Sequence, residues 1–156
     1  MITEDEIRAA QESWGQGLIE IGAAQSWQAA RSLASDFIRS HYLIEDGALQ
    51  FCPTKARKQQ FRPDLRSALS YFVGRDTHFP EDRGFALEPW CSVGFDNAGG
   101  VRPSQEVSGV ALAMGNYFFG RADGSEVKVE YSFAYIRDAQ GSVKIQLHHS
   151  ALPYEG

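Results

Sequence analysis

Histidine and cysteine are scarce in this sequence, and their spacing excludes the common metal-binding motifs. The 156 residues include four histidines and two cysteines, and HxxxH, HxH and CxxC patterns are absent. Zinc sites usually depend on such closely spaced ligands. A metal site would have to be assembled from residues far apart in the chain, so we expect no metal and no cofactor.

Long apolar runs and basic stripes are also missing. No apolar run reaches the roughly 18 residues that a membrane-spanning helix needs, and the acidic start MITEDEIRAA lacks the features of a signal peptide. The 20 acidic and 15 basic residues give a net charge of -5 that is spread along the chain. We therefore expect neither a membrane nor a nucleic-acid partner. The sequence favours a cytoplasmic protein, in which Cys52 and Cys91 would stay reduced, although the two could pair.

Two helices are predicted within residues 1–42. Thr3 and Glu6 have the spacing of a capping box, which marks a helix start. Apolar residues then recur at helical spacing, at Ile7, Ala10, Trp14, Leu18 and Ile21. A second helix is predicted from about Ser26 to Tyr42, and a shorter one over 63–72, after a strand-like piece that ends at Pro53.

The remainder of the chain is predicted to be mostly strand. Segments 91–97, 107–119, 126–138 and 142–150 have strand character, with turn sequences at 122–125 and 138–141. Helices first and strands afterwards predict an α+β fold, with the N-terminal helices packed on a curved antiparallel sheet. With 43% apolar residues and no linker, we expect residues 1–156 to form one domain.

The last predicted strand contains two adjacent histidines. In KIQLHHS, strict alternation places Ile145 and Leu147 on the same face as His149, and His148 and Ser150 on the opposite face. If the apolar face is the inner one, His149 points inwards and His148 points outwards or towards a partner subunit. A bulge near the strand end would exchange the two. Because neighbouring strand side chains diverge, the pair is not expected to chelate one metal.

Several segments together resemble a known family. FRPDLRSALSYFVG, FPEDRGFALEPW, ALAMGNYFFG, EVKVEYSFAY and HHSALPY are similar to the iota-class carbonic anhydrases, in particular to the short cyanobacterial-type branch proposed to work without a metal. That class is related to the association domain of calcium/calmodulin-dependent protein kinase II. The resemblance implies an NTF2-like cone fold, CO2 and bicarbonate as substrates, and a homodimer formed through the outer sheet face.

The resemblance also implies which residues form the site. The family pocket is described by a threonine, a tyrosine and a terminal HHSS motif, which correspond here to Thr54, Tyr71, His148, His149 and Ser150. Ala151 stands where the family usually has its second serine. If that second serine belongs to the pocket, this chain lacks a family hydroxyl; if Ser150 is the pocket residue, nothing is lost.

The chemistry of CO2 hydration suggests roles for these residues. A metal would lower the pKa of a bound water to about 7. Without a metal, a histidine near its ordinary pKa of about 6.5 can act as general base, and we assign this role to His149. Thr54 and Tyr71 would hold water and the bicarbonate oxygens. Phe85 and Trp90 would wall the pocket.

Each assignment has a plainer alternative. Tyr71 can be a core or rim residue, Thr54 a turn or cap, and His149 a buried histidine with satisfied hydrogen bonds. The basic segment from Lys55 to Arg62 can be a solvated loop or can attract bicarbonate.

Two other classes of function remain open. One is a non-catalytic binding or assembly module resembling kinase association domains. The other is an isomerase or hydratase acting on a small organic acid, which would need buried carboxylates. Glu126 and Glu130 fall on the predicted polar face of their strand, which argues against the isomerase.

Overall fold

Helices and strands follow the predicted order in a computed structural model that describes residues 1–47, 49–107 and 109–156. Ser108, which the predicted strand over 107–119 included, lies outside the described residues. The helices are α1 (Glu4–Gly22), α2 (Trp27–His41) and α3 (Leu65–Val73), and the strands are β1 (Gln50–Cys52), β2 (Ser92–Pro103), β3 (Val110–Gly120), β4 (Glu126–Arg137) and β5 (Val143–Ala151). Short 3-10 turns lie at Glu45–Gly47 and Phe85–Leu87.

The helix starts are set by side-chain caps. Thr3 Oγ1 accepts a hydrogen bond from the Glu6 amide at 3.2 Å, and the Glu6 carboxylate accepts from the Thr3 amide at 2.9 Å, so the predicted capping box is confirmed. α3 starts later than predicted, because Asp64 accepts the Ser67 amide at 2.8 Å and acts as the N-cap. None of the helices in the described ranges combines the length and the apolar character needed to cross a membrane.

The strands form one sheet in the order β1-β5-β4-β3-β2. The α+β prediction is confirmed, but the sheet is mixed and not wholly antiparallel, because β1 pairs parallel to β5. β2 also continues past the predicted end at 97 as far as Pro103, with a register shift between Asp96 and Gly100. The helices cover the inner face of the sheet, where aromatic side chains fill the core.

A bulge in β5 decides which histidine points inwards. In β4, Ala134 pairs with Leu147 and the next residue, Tyr135, pairs with Ile145. Gln146 is therefore an extra residue on β5. Ile145 is buried before the bulge, and His148 and Ser150 are buried after it, whereas His149 is exposed. The prediction that His149 faces inwards and His148 outwards is therefore wrong. Side chains alternate between the two faces on each side of Gln146, but the extra residue exchanges the faces for the residues that follow it.

The bulge coincides with a change of partner on the other side of β5. The Leu43 amide donates to the Ile145 carbonyl at 2.9 Å, and Tyr42 bridges the same residue. From Leu147 onwards the neighbour is β1, with Phe51 opposite His148. Gln146 lies between these two pairings, so the chain that follows α2 and the strand β1 can both pair with β5.

A buried ion pair between Arg62 and Asp82 fixes the two loops on either side of helix α3. The Arg62 guanidinium donates two hydrogen bonds to the Asp82 carboxylate, at 2.7 and 2.8 Å, and the two side chains are 0% and 2% exposed. Arg62 Nη1 also donates to the Ser67 carbonyl at 2.9 Å, and Ser70 Oγ donates to Asp82 at 2.6 Å. The pair thus connects the segment after β1, helix α3 and the loop that follows α3.

We expect Asp82→Ala to lower the free energy of unfolding by about 3–5 kcal/mol, because it leaves the Arg62 charge buried without a partner. Asp76→Ala is the matched control, because Asp76 pairs with Arg66, whose side chain is 58% exposed. Solvent screens that pair, so its loss is expected to be much smaller. Urea denaturation followed by circular dichroism measures both variants. Equal losses would contradict a structural role for the buried pair.

Candidate active site

His148 lies at the centre of the inner face with both ring nitrogens hydrogen-bonded. Its Nδ1 is 3.0 Å from the Tyr42 hydroxyl and its Nε2 is 3.1 Å from the Tyr117 hydroxyl. The ring is sandwiched between Phe51 and Phe133, with centroid distances of 4.7 and 4.4 Å. The imidazole is 2% exposed, so its surroundings are apolar except for the two hydroxyls.

Burial lowers the pKa of His148 to about 3, with a smaller contribution from the neighbouring His149. The imidazole is therefore neutral at physiological pH, with one N–H donor and one acceptor nitrogen. The role of a base with a pKa near 6.5 was assigned to His149 from the sequence, whereas the histidine inside the fold is His148, whose pKa is lowered. Removing the ring from water disfavours the charged form. The two tyrosine hydroxyls are neutral, so they do not offset this effect as a carboxylate would.

The hydrogen bonds around His148 indicate which nitrogen carries the proton. Trp14 Nε1 donates to the Tyr42 oxygen at 2.9 Å, so the Tyr42 proton is available for His148 Nδ1. We assign Nδ1 as the acceptor, which leaves Nε2–H to donate to the Tyr117 oxygen. The Tyr117 proton is then free to point towards the hydroxyls beyond it.

A cluster of hydroxyl groups lies on the far side of Tyr117. Thr54 Oγ1 donates to Ser150 Oγ at 2.9 Å. Burial raises the pKa of Tyr117, and the nearby hydroxyls of Ser150 and Thr54 lower it by less. Thr54 reaches the cluster because it follows β1, whose last residue pairs with His149 in β5. We call Thr54, Tyr71, Tyr117 and Ser150 the hydroxyl cluster.

Tyr71 brings its hydroxyl to the cluster from helix α3. Burial raises the pKa of Tyr71, while the nearby backbone amide of Lys55 and hydroxyl of Thr54 lower it by less. The ring stacks on Phe85 at a centroid distance of 5.6 Å and an angle of 14°. With its pKa raised, the phenol keeps its proton and can donate it to a bound molecule.

The five residues implied by the resemblance are therefore divided between the two faces of the sheet. Thr54, Tyr71 and Ser150 come together, and His148 joins them through Tyr117. His149 lies on the outer face, so it does not reach the hydroxyl cluster. Whether any of these residues takes part in catalysis stays a prediction.

Ala151 does not remove a hydroxyl from the cluster. Ser150 is 6% exposed and follows His148 by two residues, so the two share the inner face. Ala151 is the next residue of the strand and lies on the face of His149. Of the two alternatives left open by the sequence, the structure thus favours the one in which Ser150 is the pocket residue.

His41 and His78 lie away from the hydroxyl cluster and have other partners. His41 Nδ1 is 2.8 Å from the Phe37 carbonyl and its Nε2 is 2.9 Å from Ser13 Oγ. His78 is exposed beside Asp76. Within the ranges that the structure describes, no three His, Cys, Asp or Glu side chains are grouped as potential metal ligands.

Two tyrosines that hold His148 were not singled out from the sequence. Tyr117 occupies an inward position of β3 together with Phe119, and Tyr42 follows the end of α2. A phenol at an inward strand position must find a partner for its hydroxyl. The alternation of ALAMGNYFFG could have identified Tyr117 by this rule, whereas nothing local in the sequence marks Tyr42.

The three helices packed on one face of a five-stranded sheet, with polar groups between them, define a protein of the α+β class. A solved protein from Xanthomonas campestris, described as a calcium/calmodulin-dependent protein kinase II association domain, has the same fold, with a TM-score of 0.63 at 16% identity over 100% of this chain and 91% of that one.

Sequence similarity identifies the family more narrowly. Residues 5–152 match the family model described as metal-independent carbonic anhydrase. A metal-independent carbonic anhydrase from Nostoc sp. is 38% identical over 99% of this chain and 75% of its own length. The crystal structure of an iota-carbonic anhydrase from a cyanobacterium, complexed with bicarbonate, matches with a TM-score of 0.92 at 36% identity, over 99% of this chain and 94% of that one. The chain belongs to the metal-independent carbonic anhydrase family.

The lowered pKa of His148 predicts how stability depends on pH. The unfolded chain binds a proton on this residue below about pH 6.5, whereas the folded state does so only near pH 3. Stability should therefore fall as the pH drops below about 6.5, by up to about 1.4 kcal/mol per pH unit from this residue, and His148 should contribute no pH dependence above it. His148→Gln should remove this slope in urea denaturation between about pH 4.5 and 6.5.

His41→Gln is the matched control, because burial also lowers the pKa of His41 and this variant should remove only that residue's share. Proton NMR of the wild type measures the titration of the His148 ring directly, so this test does not require the variants to fold. The His148 ring signal should not titrate between pH 7 and about 4.5. A midpoint near 6.5 would contradict the buried neutral state.

Proposed function

We propose that this chain interconverts CO2 and bicarbonate without a metal, and that the hydroxyl cluster is where the reaction takes place. The observation that carries the proposal is the contact between the Thr54 and Ser150 hydroxyls beside Tyr71 and Tyr117, behind which lies a neutral histidine. Membership of the metal-independent carbonic anhydrase family supports it.

Hydration of CO2 forms one C–O bond and releases one proton. The oxygen of a water molecule attacks the carbon, an O–H bond of that water breaks, and negative charge develops on the oxygens of the product. Hydroxyl donors fixed in a poorly solvated site stabilise that charge without having to reorganise. Tyr71 and Ser150 are suited to donate, and Thr54 is suited to orient the water. The proton passes through hydroxyl groups towards bulk water.

His148 serves this arrangement through Tyr117. With Nε2–H donating to the Tyr117 oxygen, the phenol proton is directed into the hydroxyl cluster. A base with a pKa of about 3 is too weak to hold the proton of an attacking water at neutral pH. We therefore propose that His148 orients Tyr117 and does not act as the direct base. The role of base assigned to His149 from the sequence lacks support from its position on the outer face.

We expect protein treated with chelator and checked by metal analysis to hydrate CO2 in a stopped-flow assay with a pH indicator. Thr54→Val and Tyr71→Phe should each lower kcat/KM by about 10²-fold, because each removes one hydroxyl from the cluster. His148→Ala should lower it by at least about tenfold.

His149→Ala is the matched control for His148→Ala and should keep the wild-type activity. Retention of activity in His148→Ala with loss in His149→Ala would contradict the assignment. Absence of hydration in the wild type would overturn the proposed function. A ring-shaped oligomer with no hydration would instead indicate a binding or assembly module.

We also propose a homodimer formed through the outer sheet face. Leu112 and Met114 on β3 are each 54% exposed there, and His149 lies in the same cross-strand row as Met114 and Ser132. Exposed apolar side chains on a sheet face are typical of an interface. A cytoplasmic location remains a proposal, which the free thiols of Cys52 and Cys91 support.

Met114→Glu should weaken the dimer by at least about tenfold, because it would bury a charge at the interface. Leu33→Glu is the matched control, since Leu33 is an exposed apolar residue on α2, away from this face. Analytical ultracentrifugation measures both variants. A wild type that sediments as a monomer would contradict the proposal.

A further inference from the structure

An open pocket lies directly outside the hydroxyl cluster. It has a volume of about 400 Å³, and Tyr71 and Phe85 form part of its wall, together with Lys55 and Arg83. Phe85 is stacked on Tyr71, so this pair of rings separates the pocket from the groups inside. The pocket is large enough for a small anion with its hydration water. We call it the outer pocket.

The carboxylates that line the outer pocket are all occupied by other groups. Glu81 accepts hydrogen bonds from the backbone amides of Arg57 and Lys58, at 2.5 and 2.8 Å. Asp82 is held by Arg62 at 2.7 Å, and Glu88 pairs with Arg121. Arg62 and Arg121 therefore neutralise Asp82 and Glu88, whereas Glu81 is held by neutral amides and keeps its negative charge.

The two lining cations are in the opposite situation. Lys55 and Arg83 are exposed, and neither forms an ion pair within the part of the chain that the structure describes. Because two of the three lining carboxylates are neutralised by arginines, Lys55 and Arg83 outnumber the remaining charge of Glu81. They give the pocket a local positive potential, although the net charge of the whole chain is -5.

Lys55 connects the outer pocket with the hydroxyl cluster. Its backbone amide lies close to the Tyr71 hydroxyl, and the residue before it is Thr54. Its Nζ lies 5.8 Å from the centre of the Phe85 ring, and both residues line the outer pocket. The residue thus contributes its main chain to the cluster and its charge to the outer pocket.

We propose that Lys55 and Arg83 form an anion-docking site in the outer pocket, which holds bicarbonate before it enters the hydroxyl cluster or after it leaves. This inference rests on the proposed function and adds a second site for the same anion. CO2 carries no charge and gains nothing from the two cations. Bicarbonate is concentrated there by an attraction that salt weakens.

Titration of ¹⁵N-labelled protein with bicarbonate, followed by amide NMR at low ionic strength, tests the docking site directly. The amides of Lys55, Arg83 and Gly84 should shift. In the double variant Lys55→Gln, Arg83→Gln, the Kd for bicarbonate should rise about fivefold, because a charge about 8 Å away in water contributes roughly a factor of two to three. Half-molar sodium sulfate should remove the difference between variant and wild type.

Lys58→Gln is the matched control, because Lys58 is an exposed cation in the same segment that does not line the pocket. It removes one positive charge, half the change made by the double variant, and should leave the Kd unchanged. Lys55→Arg keeps the charge and should bind bicarbonate like the wild type. Equal Kd values for the wild type and the double variant at low ionic strength would overturn the docking site.

The failure of this inference is distinguishable from failure of the proposed function. A wild type that hydrates CO2 but whose bicarbonate affinity is insensitive to Lys55 and Arg83 refutes the docking site alone. A wild type without hydration refutes the proposed function. In that case, titration with nitrate, a monovalent anion that is not a substrate, still decides whether the outer pocket binds anions at these two residues.

Discussion

The two hydrogen bonds between His148 and the tyrosine hydroxyls fix the polar groups in the protein interior. An imidazole stripped of water needs a partner at each nitrogen, and Tyr42 and Tyr117 provide them from opposite sides at 3.0 and 3.1 Å. Burial keeps the ring neutral, since its pKa is lowered to about 3. The neutral ring in turn fixes the direction in which the Tyr117 proton points. The direction of the hydrogen bonds from Tyr117 into the hydroxyl cluster therefore depends on a buried, uncharged histidine.

The charged side chains near the site are kept out of this neutral interior by the loops that carry them. The Arg62–Asp82 pair is buried beneath the segment after β1 and satisfies its own charges, so it contributes rigidity and little net field. The same segment carries Thr54 into the hydroxyl cluster and Lys55 into the outer pocket. Inside, the site consists of neutral hydroxyl donors. Outside, it presents Lys55 and Arg83, which form no ion pair among the residues that the structure describes. This division suits a reaction whose substrate is neutral in one direction and anionic in the other.

Local sequence signals were reliable where one element depends on its own residues. The Thr3 and Glu6 capping box starts α1 as predicted, because both partners lie within one turn. The α+β class follows from the change of hydrophobic period after residue 90. Parallel pairing of the short strand β1 with β5 could not be predicted, because it joins residues about a hundred positions apart and depends on loops of irregular structure.

The composition of the site came from the sequence, through the resemblance of Thr54, Tyr71 and the HHS segment to a known family. Its geometry came from the tertiary structure. Only the pairing of β5 with two different neighbours places an extra residue at Gln146, and that residue exchanges the faces of His148 and His149. The sequence KIQLHHS alternates without a glycine or proline to mark the bulge, so strict alternation selects the wrong histidine. The pKa of the inner histidine likewise depends on the rings packed around it, which the chain brings together only when it folds.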